Sequence, residues 1–328
     1  MTPKVAGSVF TAILLFGCAS DNGNPNSVTV YVSADEHIAR EIFSAFTEKT
    51  GIVVAWVGDT ESSKNTTLVQ RLIREKNRPI ADVFWSSEIL GTIKLAQENV
   101  LSPCETKRTM EWPAQYRDSQ MRWFGFSPRA RVIAYDPQKI SEEELPRFWW
   151  DYSDAVIADP RFGTTRTHVA VMAEFPKKSE KLFATMKHKP MLGGNAATVQ
   201  AVIDGLALFA MTDTDDVYGA INRGHSIAMF MPRHHEGVGG GTLLIPNTVG
   251  IVNGCENHNL AKTFVDFLLS EEVAMLLATS PSRNIPLQPS VAKHFPTLAV
   301  DDPLRVDFNK AAALDVEQIT VVMDAFAQ

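Results

Sequence analysis

Asp35, Asp59, Glu61, Glu88, Asp213, Asp215 and Asp216 each fall just beyond, or at the end of, a run that reads as a β-strand. Carboxylates brought to one place repel one another and rise in pKa unless a cation or nearby arginines offset them. Oxygen-only donor sets of this kind suit hard divalent or trivalent cations. Ser33, Ser87, Thr165 and Asn195 occupy the same kind of position, and Tyr218 is the one phenol close to the stretch Asp213-Thr214-Asp215-Asp216. These residues form the candidate ligand-binding set, with Asp35, Glu88, Asp213 and Asp215 as candidate metal ligands. The same residue types are also ordinary helix N-caps, so Ser33 or Asp35, Ser87, and Asp213 or Thr214 each have a plain structural reading. Capping accounts for any one of them but not for their accumulation.

The elements that must position them are legible as strands alternating with helices. Val28–Val32 reads as a strand, followed by a helix over 36–50 with Ile38, Ile42, Ala45 and Phe46 on one face and Gly51 at its end. Ile52–Val57, Asp82–Trp85, Val156–Ala158 and Leu208–Met211 read as further strands, with helices expected over 68–75, 88–98 and 196–206 and another reaching to about 188. Such alternation predicts a parallel sheet with helices on its faces. In sheets of this class ligands sit beyond the carboxyl ends of the strands, where helix N-termini converge. Arg122–Phe126 and Arg131–Tyr135 read as two extended runs leading from a first lobe to a second, and Thr242–Ile245 with Val249–Val252 as the return. Two crossing segments predict a hinge.

Other residues that could do chemistry carry less. His234-His235-Glu236, with His168 and His258 elsewhere, lacks ligand-like spacing and reads as an exposed turn before Gly239-Gly240-Gly241. That glycine run lacks the Lys-Ser/Thr of a phosphate loop. Trp149-Trp150 read as core or lobe-surface aromatics, and so does Trp85, although it falls near enough to the expected cleft to stack on an organic ligand. Cys104 and Cys255 offer no metal spacing; either they are bridged or they are two free thiols. No Gly-x-Ser-x-Gly elbow and no Cys-His or Ser-His-Asp set falls at the strand ends, so the reading is not an enzyme, with no catalytic residue and no cofactor apart from a bound metal ion as cargo. A net charge of −7 without a Lys/Arg run argues against nucleic acid as a partner.

At the N-terminus Lys4 precedes an apolar stretch from Val5 to Phe16, too short to span a bilayer. It reads as a signal peptide over residues 1–17. The sequence Leu15-Phe16-Gly17-Cys18 resembles a lipobox, which makes Cys18 the expected lipidation site and 18–27 a lipidated tether.

Several segments together resemble family 1 extracellular solute-binding proteins of the ferric-iron type. They are the strand-helix from Val30 to Ile52, Ala81-Asp82-Val83-Phe84, Trp123-Phe124-Gly125-Phe126 with Arg129-Ala130-Arg131-Val132, Gly241–Asn247 and Phe264–Glu272. The resemblance implies an α/β, two-lobe, type II periplasmic-binding-protein-like fold with a ligand cleft between lobes joined by two crossing strands. It divides the chain into a first lobe of 28–128 plus 246–282 and a second of 129–245 plus 283–328. It also implies a monomeric, periplasmic, lipid-anchored protein that captures a cationic ligand, ferric iron or another hard metal ion, and delivers it to the permease and ATPase subunits of an ABC importer. Members of that family use adjacent tyrosines, some with a histidine and a glutamate. The histidine position falls on Asp35, the glutamate on Ser87 beside Glu88, and the tyrosine pair within Thr214–Val217, where this chain has no tyrosine. The alternatives are a small organic solute, such as thiamine, a polyamine or an aminophosphonate, and a sensor or scaffold subunit without a transport role.

Overall fold

The computed structural model describes residues 26–59, 66–186 and 190–327. The chain opens with β1 (Ser27–Val32), α1 (Glu36–Thr50), β2 (Val53–Gly58), α2 (Thr66–Glu75), β3 (Val83–Ser86), α3 (Leu90–Gln97), β4 (Leu101–Ser102) and α4 (Lys107–Met110). β5 (Phe124–Tyr135) leads away to β6 (Ala155–Ala158), α5 (Gly163–Met172), α6 (Pro176–Met186), β7 (Met191–Leu192), α7 (Asn195–Ile203), β8 (Phe209–Asp213), α8 (Thr214–Asn222) and β9 (Ala228–Phe230). β10 (Leu244–Val252) returns, and α9 (His258–Leu268), α10 (Glu271–Thr279), α11 (Pro289–Ala292) and α12 (Phe308–Ala327) complete the chain. Among the described residues no helix is long and apolar enough to cross a membrane.

The strands follow the order β2-β1-β3-β10-β5-β8-β6-β7, with β4 on β10 and β9 on β5. β1 pairs in parallel with β2 and β3, and β6 in parallel with β7 and β8, as the alternation of strands and helices requires. β5 and β10 run antiparallel to each other and join the two halves. The first part of β5 pairs with β10, and Arg131–Tyr135 pair with β8. The fold is thus α/β with two lobes of type II arrangement and two crossing strands.

Each crossing strand is continuous where the sequence suggested two separate runs. Pro128 and Pro246 cannot donate to a ladder, and the structure absorbs both in one irregularity. The register shifts between Ile245 and Asn247, and Ser127 takes a left-handed φ of 40°. The Pro128 carbonyl accepts from the Ile285 amide at 2.8 Å instead.

The first lobe packs α1 onto its sheet through Ile38, Ile42, Phe43 and Phe46, which the helical period places on one face. The helix ends at Gly51, whose φ of 72° lets its amide reach the Thr47 carbonyl. Phe46 meets Phe264 and Phe267 with ring centroids 4.9 and 5.3 Å away. Burying one such ring stabilises the fold by roughly 2–3 kcal/mol. Trp85 belongs to this core, against Phe43 and Phe126, and is only 1% exposed; it is not available to stack on a ligand in the cleft. Cys104 and Cys255 are free thiols, so the bridge weighed from the sequence is not formed. Burial pushes Cys104 up to about 12 and Cys255 to about 11, which leaves both protonated and unreactive at neutral pH.

Candidate functional site

Arg129 and Arg131 stand two residues apart on β5, so both side chains leave the same face of the strand. β8 lies alongside with Asp213 directly opposite Arg131 in register. The Arg131 guanidinium donates to Asp213 Oδ1 at 2.8 Å. The other oxygen of Asp213 accepts from Asn195 Nδ2 at 2.9 Å and from the Thr164 hydroxyl. Arg129 donates from Nε to Asp215 Oδ2 at 2.7 Å and from Nη1 to the Ser87 carbonyl. One strand therefore supplies a cation to each of two carboxylates.

Three helices begin at this place: α5 at Gly163, α7 at Asn195 and α8 at Thr214. Gly163 turns the chain into α5 with a φ of 56°, which an L side chain rarely adopts. Asp215 and Asp216 occupy the first turn of α8, where the free helical amides favour negative charge. Asp213 is the N-cap of α8 and Asp35 the N-cap of α1, yet neither side chain makes the capping bond. Capping therefore does not explain why these two positions are aspartate.

Asp35, Ser87, Arg129, Thr164, Thr165, Asn195, Asp213, Asp215 and Asp216 line one chamber of about 70 Å³ between the lobes. A second cavity of about 340 Å³ shares Asp35, Asp215 and Asp216 and is bounded by His37, Arg223 and Ser282. Asp213, Asp215 and Asp216 each offer an oxygen within 4.8 Å of the others. The Asp215 pKa is raised because burial disfavours its charge; Arg129 counters this, while Asp213 and Asp35 add to it. Burial also disfavours the Arg129 charge, but Asp215, Asp213 and Asp35 outweigh it and push its pKa up. With Asp35, Asp213, Asp215 and Asp216 set against two guanidiniums, the chamber is short of positive charge.

Not every residue expected at the site joins it. Glu88 turns back to accept from the amides of Leu90 and Gly91 at 2.6 and 2.8 Å, and from the Thr167 hydroxyl at 3.0 Å. It caps α3, which is why that helix begins two residues later than expected. Ser33 is buried beneath the chamber and accepts the Ser87 amide at 3.0 Å. Asp59 follows β2, where its amide bonds the Val32 carbonyl, and is not among the lining residues. Tyr218 lies outside both cavities with the Arg283 guanidinium 5.0 Å from its ring centroid. Glu61 and Cys18 lie outside the described residues.

His234 is not in an exposed turn. It is fully buried, because the glycine run folds back over it: its amide donates to the Gly240 carbonyl at 2.7 Å. A Cβ on Gly240 would meet the His235 carbonyl at 2.3 Å, and one on Gly241 the Asp302 carbonyl at 1.8 Å. Close backbone approach, and not phosphate binding, accounts for these glycines.

A sequence model of bacterial extracellular solute-binding proteins matches residues 41–304. The major ferric iron-binding protein of Neisseria meningitidis is 25% identical over 283 residues, covering 82% of this chain and 83% of the relative. Iron uptake protein A1 of Synechocystis is 24% identical over 334 residues, covering 87% and 88%. Among solved structures, a ferric binding protein from Campylobacter jejuni superposes with a TM-score of 0.80 at 22% identity, over 91% of this chain and 99% of that one.

Proposed function

Because the chain belongs to the bacterial extracellular solute-binding proteins, we propose that it captures a hard metal cation, foremost ferric iron, in the chamber between its lobes. Its partners on this reading are the permease and ATPase subunits of an ABC importer. The observation that carries the proposal is the chamber itself: about 70 Å³, walled by five aspartates and Arg129, with Arg131 behind Asp213 and Arg161 on Asp159, so that the acids outnumber the arginines. The chamber itself is smaller than the roughly 300–1,000 Å³ of pockets that enclose organic ligands, and it suits an ion with one or two waters. Oxygen donors without sulfur or imidazole favour a hard cation over a soft one. The relatives in Neisseria and Synechocystis carry iron in their names, which supports the choice of metal. Asp35, Asp215 and Asp216 face both the chamber and its outer cavity and are the proposed ligands. Asp213, held by Arg131, Thr164 and Asn195, anchors the cluster from behind.

The protein is proposed to act in the periplasm, held to a membrane by a lipid on Cys18. A clickable fatty acid should label the wild type and not Cys18→Ala. For the cargo, protein purified from its own host should contain iron by elemental analysis. The apo form should bind ferric nitrilotriacetate at one ion per chain and ignore thiamine and spermidine. Metal-free protein with an organic solute bound would overturn the proposal.

A further inference from the structure

His168 on α5 and His234, in the segment between β9 and the glycine run, are both fully buried, outside the set of proposed ligands. Their Nε2 atoms are 3.0 Å apart. His168 Nδ1 lies 3.3 Å from Arg131 Nε, and His234 Nδ1 lies 2.8 Å from the Gly241 carbonyl. An arginine has only donors, so His168 Nδ1 must be the unprotonated nitrogen. The proton of His168 is then on Nε2 and points at His234 Nε2, which must accept it. That places the proton of His234 on Nδ1, where the Gly241 carbonyl receives it. Every donor finds an acceptor in one arrangement only, with both rings neutral.

The surroundings favour that charge state. Trp149 meets the His168 ring edge-on with centroids 4.5 Å apart, and Trp149, Trp150 and Phe175 surround His234 at 5.8 to 6.1 Å. Burial in this aromatic box drives the His168 pKa well down, with Arg131 adding to the effect. Both ends of the chain of bonds lie on the crossing segments. Arg131 belongs to β5, and Gly241 lies just before β10; the next residue, Thr242, donates its hydroxyl to the Arg131 carbonyl.

We propose that His168 and His234 are positioning residues for solute binding: a neutral imidazole pair braces Arg131 against Asp213 and thereby fixes the acidic cluster that receives the ion. The brace rests on the reading of that cluster as the solute site. It differs from the usual arrangement around a metal ligand in acting through an arginine, two residues removed from the proposed ligands. Losing a partner bonded directly to a metal ligand weakens binding by about tenfold or more, and the brace, which fixes Arg131 and Asp213 together, is proposed to act with similar effect.

The test compares His168→Phe, which removes both ring nitrogens, with His168→Gln, whose amide can still accept from Arg131 and donate to His234. Ferric nitrilotriacetate should bind His168→Phe at least about tenfold more weakly than the wild type, and His168→Gln within about threefold of it. Nitrogen-15 NMR of the wild-type apo protein gives a second readout that needs no ligand and no variant. It should show His168 protonated only on Nε2 and His234 only on Nδ1. Wild-type affinity in His168→Phe, or rings that exchange between tautomers, would overturn the brace. A wild type that fails to bind the ferric probe would sink the cluster as an iron site, while the NMR result would still decide whether the brace exists.

Discussion

Two strand-to-helix junctions carry the same kind of residues and reach different ends. At the end of β3 the chain reads Ser86-Ser87-Glu88, and at the end of β8 it reads Thr212-Asp213-Thr214-Asp215-Asp216. At the first, the carboxylate folds back on the two leading amides of its own helix and is spent as a cap. At the second, the N-cap aspartate makes no cap bond, because Arg131, Thr164 and Asn195 have taken both its oxygens. What differs is the facing strand, which sets two arginines against the second junction. An acidic residue at a helix start serves that helix until a cation from another element claims it; the acids that follow can then serve a ligand.

The largest effect expected from breaking this contrast is at Arg131. Arg131→Met leaves Asp213 buried without its counterion, which should cost about 3–5 kcal/mol of stability. Urea unfolding measures it, and a loss under about 1 kcal/mol would mean that Asp213 is not held by this pair.

The His234 imidazole gives a pH signature of about 3 kcal/mol. Burial lowers the His234 pKa from 6.5 to about 4. Between those values the unfolded chain binds the extra proton and the folded one does not. The contribution is therefore complete above the unfolded value of 6.5 and is lost as the pH falls toward about 4. Glu88 and Asp215, whose pKa values are raised chiefly by burial, work in the opposite sense: their contribution is complete at low pH and fades as the pH rises through their folded values. Subtracting the stability of His234→Gln from that of the wild type removes these common contributions. The difference should grow with pH up to the histidine range and then level off; a flat difference would contradict the burial of a neutral ring.

Glu88→Ala strands two helix amides and the Thr167 hydroxyl, at a cost of about 1–3 kcal/mol. Ferric affinity should stay within about threefold of wild type, since this carboxylate points away from the chamber. Asp215→Asn should lose both stability and affinity. Stability should fall by about 1–3 kcal/mol, because the amide keeps an acceptor for the buried Arg129 but removes its counterion. Ferric affinity should fall at least about tenfold, or about 1.4 kcal/mol, in a titration run alongside.

Much of this was legible in the sequence because it is local. The helical period of Ile38, Ile42 and Phe46 and the short apolar runs of β1, β3 and β6 fixed the α/β grammar, and the acids at the strand ends pointed to the chamber. What depends on distant partners was hidden. Arg131 and Asp213 are 82 positions apart, and Arg129 and Asp215 are 86. The spacing Arg-x-Arg on a strand was the available signal, since it places two cations on one face. Pro128 and Pro246 made each crossing strand look broken, because the bulge that accommodates them exists only when both strands are present. His234 looked exposed beside three glycines, and only tertiary packing reveals that the glycines close over it.

The central claim is that the carboxylates at the start of α8, with Asp35 across the cleft, hold the ion. The most direct test is an anomalous difference map at the iron edge, from crystals grown with ferric nitrilotriacetate. The account predicts one strong peak in the chamber, in contact with the oxygens of Asp35, Asp215 and Asp216. An iron peak at Glu88, at the histidine pair or on the outer surface, with the chamber empty, would contradict it.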